Sequence, residues 1–167
     1  MQQSAPKSEH GSAAVASELS SGSAEKVAAA LGQGLSETAV ATMLAQNFHW
    51  NVTGMAFGSL HELFQQIYED HFTGQDDLAE RIRALGPLAE GRLAVHLERS
   101  KVGEADGTQE DREMVRLMAE AEETISATMG GAAEIAAAHG DVLSEDLAIE
   151  RGRIHDKFAW MLRAHLR

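Results

Sequence analysis

The chain has 167 residues, 44% of them hydrophobic, and carries 26 acidic against 14 basic side chains for a formal charge of −12. This length and apolar content suit one domain with a sizeable core. The absence of cysteine excludes disulfides, thiolate catalysis and cysteine-held zinc or iron–sulfur clusters. The acidity disfavours tight DNA binding, because phosphate contact relies on lysine and arginine displacing counterions, and residues 1–24 hold Lys7 as their one such residue. Neither an apolar run of membrane-span length nor a charged start followed by an apolar leader is present, so a soluble cytoplasmic protein is expected.

Residues 1–23 are rich in Ser, Ala and Gly without apolar periodicity, which reads as a mobile tail. A short helix around Ala13–Leu19 is compatible with that reading, and residues 24–167 form the expected domain. Leu31, Leu35, Thr42 and Ala45 recur at helical spacing, predicting a first helix from near Ser23 to near Val52. Gly54 and Gly58 then supply a reversal. Ser59 and Glu62 have the spacing of a capping box, and Gly86-Pro87 form a stop signal, so a second helix is expected from Ser59 to about Leu85.

The connection from Gly86 to Gly107 is long for a compact domain, and Arg92–Arg99 is its candidate short helix. Thr108, with Asp111 three residues on, is the expected cap of a third long helix. Its apolar face reads Met114, Leu117, Met118, Ala121, Ile125, Met129, Ala132 and Ile135, and Gly140 ends it. Asp141 or Ser144 begins a fourth, with Leu147, Ile154, Phe158 and Met161 as its stripe. The sum is an all-α, ferritin-like four-helix bundle whose long crossover lies between the second and third long helices.

The chemistry concentrates between Asn47 and Leu85. His49 stands near the end of the first helix, and His61 in the first turn of the second. His61, Gln65, Asp76 and Glu80 fall within about a 100° arc of one helix at 3.6 residues per turn. Along the axis, however, His61 and Asp76 are separated by roughly 22 Å at 1.5 Å per residue, several times the reach of two ligands each about 2 Å from one ion. One chain cannot close that site. Two antiparallel copies about a two-fold axis can, with His49 and His61 from one chain and Asp76 and Glu80 from the other, giving two equivalent sites per dimer.

These residues resemble the Dps family, the miniferritins or DNA-binding proteins from starved cells. The family's histidine-tryptophan-asparagine run stands here as His49-Trp50-Asn51, its second histidine as His61, and its Asp-x-x-x-Glu-Arg run as Asp76-Asp77-Leu78-Ala79-Glu80-Arg81. Asp156-Lys157-Phe158-Ala159-Trp160 is similar to its last helix. The resemblance implies a dodecameric shell that oxidises Fe(II), preferably with hydrogen peroxide, at ferroxidase centres between two-fold-related subunits. It implies storage of Fe(III) mineral inside the shell, and so protection against oxidative stress. It also places Trp50 beside the metal centre and an acidic iron-entry pore near the fourth helix, for which Asp146 and Glu150 are the candidates.

Gln65 departs from the family, which usually has aspartate there. An amide oxygen is neutral and a weaker ligand than a carboxylate, so Zn(II) gains as a competitor for the centre. The alternative reading is accordingly a structural shell or nucleoid-associated protein with a degenerate or zinc-occupied centre.

More ordinary roles also exist for these residues: Trp50 in core packing, Asp76 and Glu80 as a solvated face with Glu80 paired to Arg81 or Arg83, and Asp146 and Glu150 favouring a helix N-terminus. His71 falls on a different side of its helix from His61 and Gln65 and reads as a surface residue, and His10, His96, His139, His155 and His165 have no supporting pattern as ligands. No Glu-x-x-His occurs, which argues against a carboxylate centre within a single bundle. P-loop, dinucleotide and nucleophile-elbow motifs are absent too.

Overall fold

In the computed structural model, which describes residues 19–167, five helices follow one another. They are α1 (Ser21–Asn51), α2 (Phe57–Ala84), α3 (Leu93–Arg99), α4 (Asp111–Ala138) and α5 (Val142–Ala164). The expected tail and its short helix lie almost wholly outside the described residues. The bundle and its crossover helix α3 are as the periodicity predicts.

Helices α1 and α2 form an antiparallel hairpin, because His49 meets His61 near the connection while Thr42 meets Gln75 farther along. Helices α4 and α5 form a second hairpin, in which Ser126 bonds the carbonyl of Gly152 and Glu122 contacts His155. The hairpins pack through α1 on α4 and α2 on α5, and α3 lies along α1. Leu31, Phe48, Phe64, Ile67, Leu78, Met118, Ile125, Met129 and Leu162 are fully enclosed between them. Gly34 is the close approach between α1 and α4: a Cβ there would collide with the Met129 methyl group.

Several helix ends differ from expectation, each for a local reason. Helix α1 starts at Ser21, where Ser20 Oγ accepts from the Ser23 N–H. The reversal after it uses Gly54, at φ 93°, and Gly58 is already inside α2. That early start removes the Ser59 capping box. Ser59 lies within the first turn, and its hydroxyl donates to the carbonyl of Ala56 rather than accepting from Glu62.

Thr108 likewise does not cap α4. Its hydroxyl donates to Asp106, and the helix begins at Asp111 with no side-chain cap. On α4 the predicted face is enclosed except for Ile135, which is exposed while the adjacent Ala136 takes the buried position, and Leu117, which is half-buried.

The buried face of α5 is displaced from the predicted one. Of the predicted stripe Phe158 is buried, but Leu147, Ile154 and Met161 only flank the core, while Ser144, Ala148, Arg151, His155, Ala159 and Leu162 fill the rest of the inner face. Two ionisable side chains therefore occupy positions where hydrophobic periodicity expects aliphatic ones. At the start of α5, Asp141 does cap the helix, accepting from Ser144 N–H at 3.2 Å.

The same carboxylate binds Arg81 of α2 at 2.7 Å, and Arg81 Nε also donates to Ser144 Oγ at 2.7 Å. Arg81 is thereby engaged across the bundle with Asp141. Asp141→Ala removes both a helix cap and the partner of a largely buried guanidinium, and is expected to lower stability by about 2–3 kcal/mol. The measurement is the guanidinium midpoint with Arg81→Ala/Asp141→Ala alongside, and the double variant should lose less than the two single losses added together.

Candidate metal centre

The α1–α2 turn brings the two predicted histidines together. Their rings stack with centroids 3.7 Å apart, both half-buried, with Phe57 stacked on the far side of His61 and Tyr68 edge-on to His49. Each ring bonds the other's backbone. His49 Nδ1–H donates to the carbonyl of His61 at 2.8 Å, and His61 Nδ1–H donates to the carbonyl of His49 at 2.7 Å. A carbonyl only accepts, so these contacts require the proton on Nδ1 and leave Nε2 of each neutral ring as a lone-pair donor. Metal-binding histidines are commonly held by such a bond on the other nitrogen.

The carboxylates do not join them within the chain. Asp76 and Glu80 lie far along α2 and are exposed. Gln65 is half-buried, and its amide donates to Glu69 Oε1 at 2.7 Å, so the carboxylate one turn on is tied to it. Trp50 is 63% exposed rather than packed in the core of its own chain.

Asp76 lines a groove with Met43, Phe72 and Leu93. Trp50 borders the neighbouring cavity, of about 320 Å³, which Met43, Leu93 and Leu97 also line. Met43, Trp50, Phe72, Leu93 and Leu97 are all exposed, an apolar surface between the imidazole and carboxylate ends. Glu80 makes no ion pair with Arg81 or Arg83; Arg81 engages Asp141, and Arg83 donates to the carbonyls of Gly86 and Pro87. Asp146 and Glu150 are exposed on α5.

A second group was not foreseen. His71, expected at the surface, is fully buried, and its Nε2 lies 3.0 Å from Glu122 Oε1. His155 Nδ1 lies 2.7 Å from the other Glu122 oxygen. Among the described residues, these are the one set of three or more such side chains whose ligand atoms all fall within 4.8 Å of one another. Burial, the largest influence, pushes the Glu122 carboxyl up, but the closeness of His71 and the hydrogen bond from His155 outweigh it and hold the group at about 2. Burial also dominates at His155, lowering its imidazole against the pull of Glu122.

Beside them, Arg151 is nearly fully buried and forms a two-pronged pair with Asp70, at 2.5 and 3.3 Å. Gly74 makes room for it, since a Cβ at that position would lie 2.5 Å from the guanidinium carbon. The signal for the group was position. His71 follows Ile67 by four residues and precedes Leu78 by seven, and Glu122 follows Met118 by four and precedes Met129 by seven, so both stand inside apolar stripes.

Residues 28–167 match the Ferritin-like domain family. General stress protein 20U of Bacillus subtilis is 30% identical over 142 residues, covering 85% of this chain and 98% of that protein. DNA protection during starvation protein 2 of Bacillus anthracis is 35% identical over 120 residues, covering 72% and 82%. The chain belongs to the Dps family of ferritin-like proteins. Dps from Staphylococcus aureus superposes with a TM-score of 0.83 at 36% identity, covering 86% of this chain and 96% of that one. A Vibrio cholerae Dps, described as a member of a broad superfamily of ferritin-like diiron-carboxylate proteins, gives 0.85 at 28%, covering 89% and 94%. For a Dps chain, the buried His71–Glu122–His155 group adds a second cluster of ligand-type side chains, apart from the paired imidazoles at the α1–α2 turn.

Gly74→Ala forces Arg151 from its seat against α2 and strains its pair with Asp70. A stability loss of about 1–3 kcal/mol is expected, as for overpacking elsewhere. Thermal unfolding checks it, and Gly74→Ala should cost much less in an Arg151→Met background, where no guanidinium needs the space.

Proposed function

We propose that this Dps protein is a ferroxidase that oxidises Fe(II) with hydrogen peroxide at centres between two-fold-related subunits of a dodecamer and stores Fe(III) within the shell. The observation that carries this reading is the stacked His49–His61 pair, with both Nδ1 protons committed to backbone carbonyls and both Nε2 atoms left as donors. Asp76 and Glu80, roughly 22 Å or more along the helix on the same arc, supply hard anionic oxygen if a partner chain lies antiparallel. The exposed apolar surface bearing Met43, Phe72 and Leu93 beside Asp76 supports an association that covers this region.

Iron is the substrate. His49 and His61 hold it from one chain, Asp76 and Glu80 from the partner, and Gln65 stands at the edge as a neutral contributor. Two Fe(II) ions each give one electron to one peroxide. The O–O bond is broken by both electrons, two protons are taken up, and two waters form with two Fe(III), so no hydroxyl radical is released. Trp50, exposed in the single chain next to His49, is placed to give an electron to any oxidant that escapes. Asp146 and Glu150 are proposed to attract incoming Fe(II) at a three-fold pore, since a ring of acids concentrates cations at a channel mouth.

The chain's relatives include proteins named for DNA protection during starvation. With a charge of −12, protection by removing iron and peroxide suits this chain better than tight DNA binding. Gln65 favours a second reading, a shell whose centre holds Zn(II), because the site has one anionic oxygen fewer.

The test is anaerobic Fe(II) loading of metal-free protein followed by peroxide, recording ferric absorbance and trapped radical. Rapid oxidation at two irons per peroxide with little radical is expected. Asp76→Ala/Glu80→Ala should slow it at least about tenfold while leaving the histidines in place. Gln65→Asp should raise Fe(II) affinity and the initial rate. Oxidation no faster than in buffer, with radical undiminished, would move the assignment to the zinc-filled or structural shell.

A further inference from the structure

Three helices converge on the His71–Glu122–His155 group: α2, α4 and α5 each contribute one ligand-type side chain, and all three side chains are fully buried. His155 Nδ1 makes an aligned hydrogen bond to Glu122 Oε2. His71 does not match it. Both its ring nitrogens, and the Glu122 Oε1 beside it, lack a hydrogen-bond partner despite the 3.0 Å approach of Nε2 to that oxygen.

A proton shared between two atoms this close favours a near-linear N–H···O arrangement. A metal ion about 2.0 Å from each atom instead lies off the line joining them, and the unaligned approach of His71 to Glu122 has that character. A buried imidazole with neither nitrogen satisfied is otherwise costly and needs a partner.

We infer that His71, Glu122 and His155 form an intrachain site for a divalent metal of the zinc class, separate from the two-fold iron centre, that staples α2, α4 and α5. Two imidazole nitrogens and one carboxylate oxygen are a donor set that Zn(II) accepts, and binding releases the proton that His155 Nδ1 otherwise donates to Glu122. Three protein ligands leave a fourth coordination position, but full burial gives substrate no route to it, so the site is structural rather than one that turns substrate over. The neighbouring positive charge, Arg151 Nη2 at 3.5 Å from His155 Nε2, is neutralised by Asp70 and leaves the Glu122 carboxylate to offset half of the metal's charge. Because the ligands come from three separate helices, the ion's binding energy adds to the stability of the fold.

The competing occupant is a single proton, which would make one imidazole cationic and give a purely protein-based ion cluster. The experiment uses full-length protein carrying His49→Ala and His61→Ala, so that two-fold-site metal does not obscure the result. It is produced with added zinc, purified without chelator and analysed for zinc per chain; a second sample is refolded with Co(II) alone. About one zinc per chain is expected, together with the visible absorption of Co(II) in a low-coordinate nitrogen–oxygen site and a melting temperature several degrees above that of the metal-free protein.

His71→Gln and Glu122→Gln, introduced separately in the same background, should each abolish the Co(II) absorption and the thermal shift. Absence of bound zinc and of the Co(II) spectrum in the parent variant overturns the proposal whether or not the glutamine variants fold. Metal content unchanged by His71→Gln overturns it equally. Since His49 and His61 are absent throughout, neither result bears on the iron-oxidising reading.

Discussion

Helix α2 has to satisfy three neighbours at once, and much of the molecule follows from that constraint. One side carries Leu60, Leu63, Phe64, Ile67, Leu78 and Ile82 into the core against α1 and the second hairpin. Another carries His61, Gln65, Asp76 and Glu80 along an arc that the chain itself does not cover. Its C-terminal turn holds Arg81, which reaches Asp141 and Ser144 of α5. Rotating the helix to improve one of these contacts would misplace the others, so its orientation is fixed by packing and electrostatics together.

The interior is unusually polar for an all-helical bundle. Glu37, His71, Glu122, Arg151 and His155 are all at or near complete burial. Ionisable groups in such places need partners, because removing a charge from water is costly without compensation. Asp70 serves Arg151, Gln33 donates to Glu37, and Glu122 faces two imidazoles. Gly74 belongs to the same arrangement, since the absence of a side chain there is what lets a guanidinium lie against a helix backbone.

Much of this was legible in the sequence. Four long helices, the crossover and its short helix followed from periodicity and Gly/Pro punctuation, and the meeting of His49 with His61 followed from their places on either side of one turn. Capping was less legible. Ser59 and Thr108 have capping spacing, but the helices begin where the preceding turn delivers the chain, at Phe57 and Asp111. Least legible was the polar core. Hydrophobic periodicity counts apolar side chains, so it placed the inner face of α5 on Leu147, Ile154, Phe158 and Met161, of which only Phe158 is buried, and passed over Arg151 and His155 at its centre. His71 read as surface because it falls on a different side of α2 from His61 and Gln65, although Ile67 and Leu78 already put it on the inner stripe. A charged residue at an aliphatic position in a helical pattern is a signal only when partners arrive from other helices, and those lie 51 and 84 residues away in the chain.

Arg81 follows Glu80 directly, and its guanidinium is fixed at two points on the start of α5. The last turns of α2 therefore lose most of their backbone freedom when the chain folds, before any ion arrives. Glu80, the iron ligand we propose, then has only its own side-chain rotamers left to order on binding, not the helix that carries it. The entropy that a frayed helix end would surrender at each binding event is given up once, in folding, so the carboxylate's position does not depend on whether anything is bound to it.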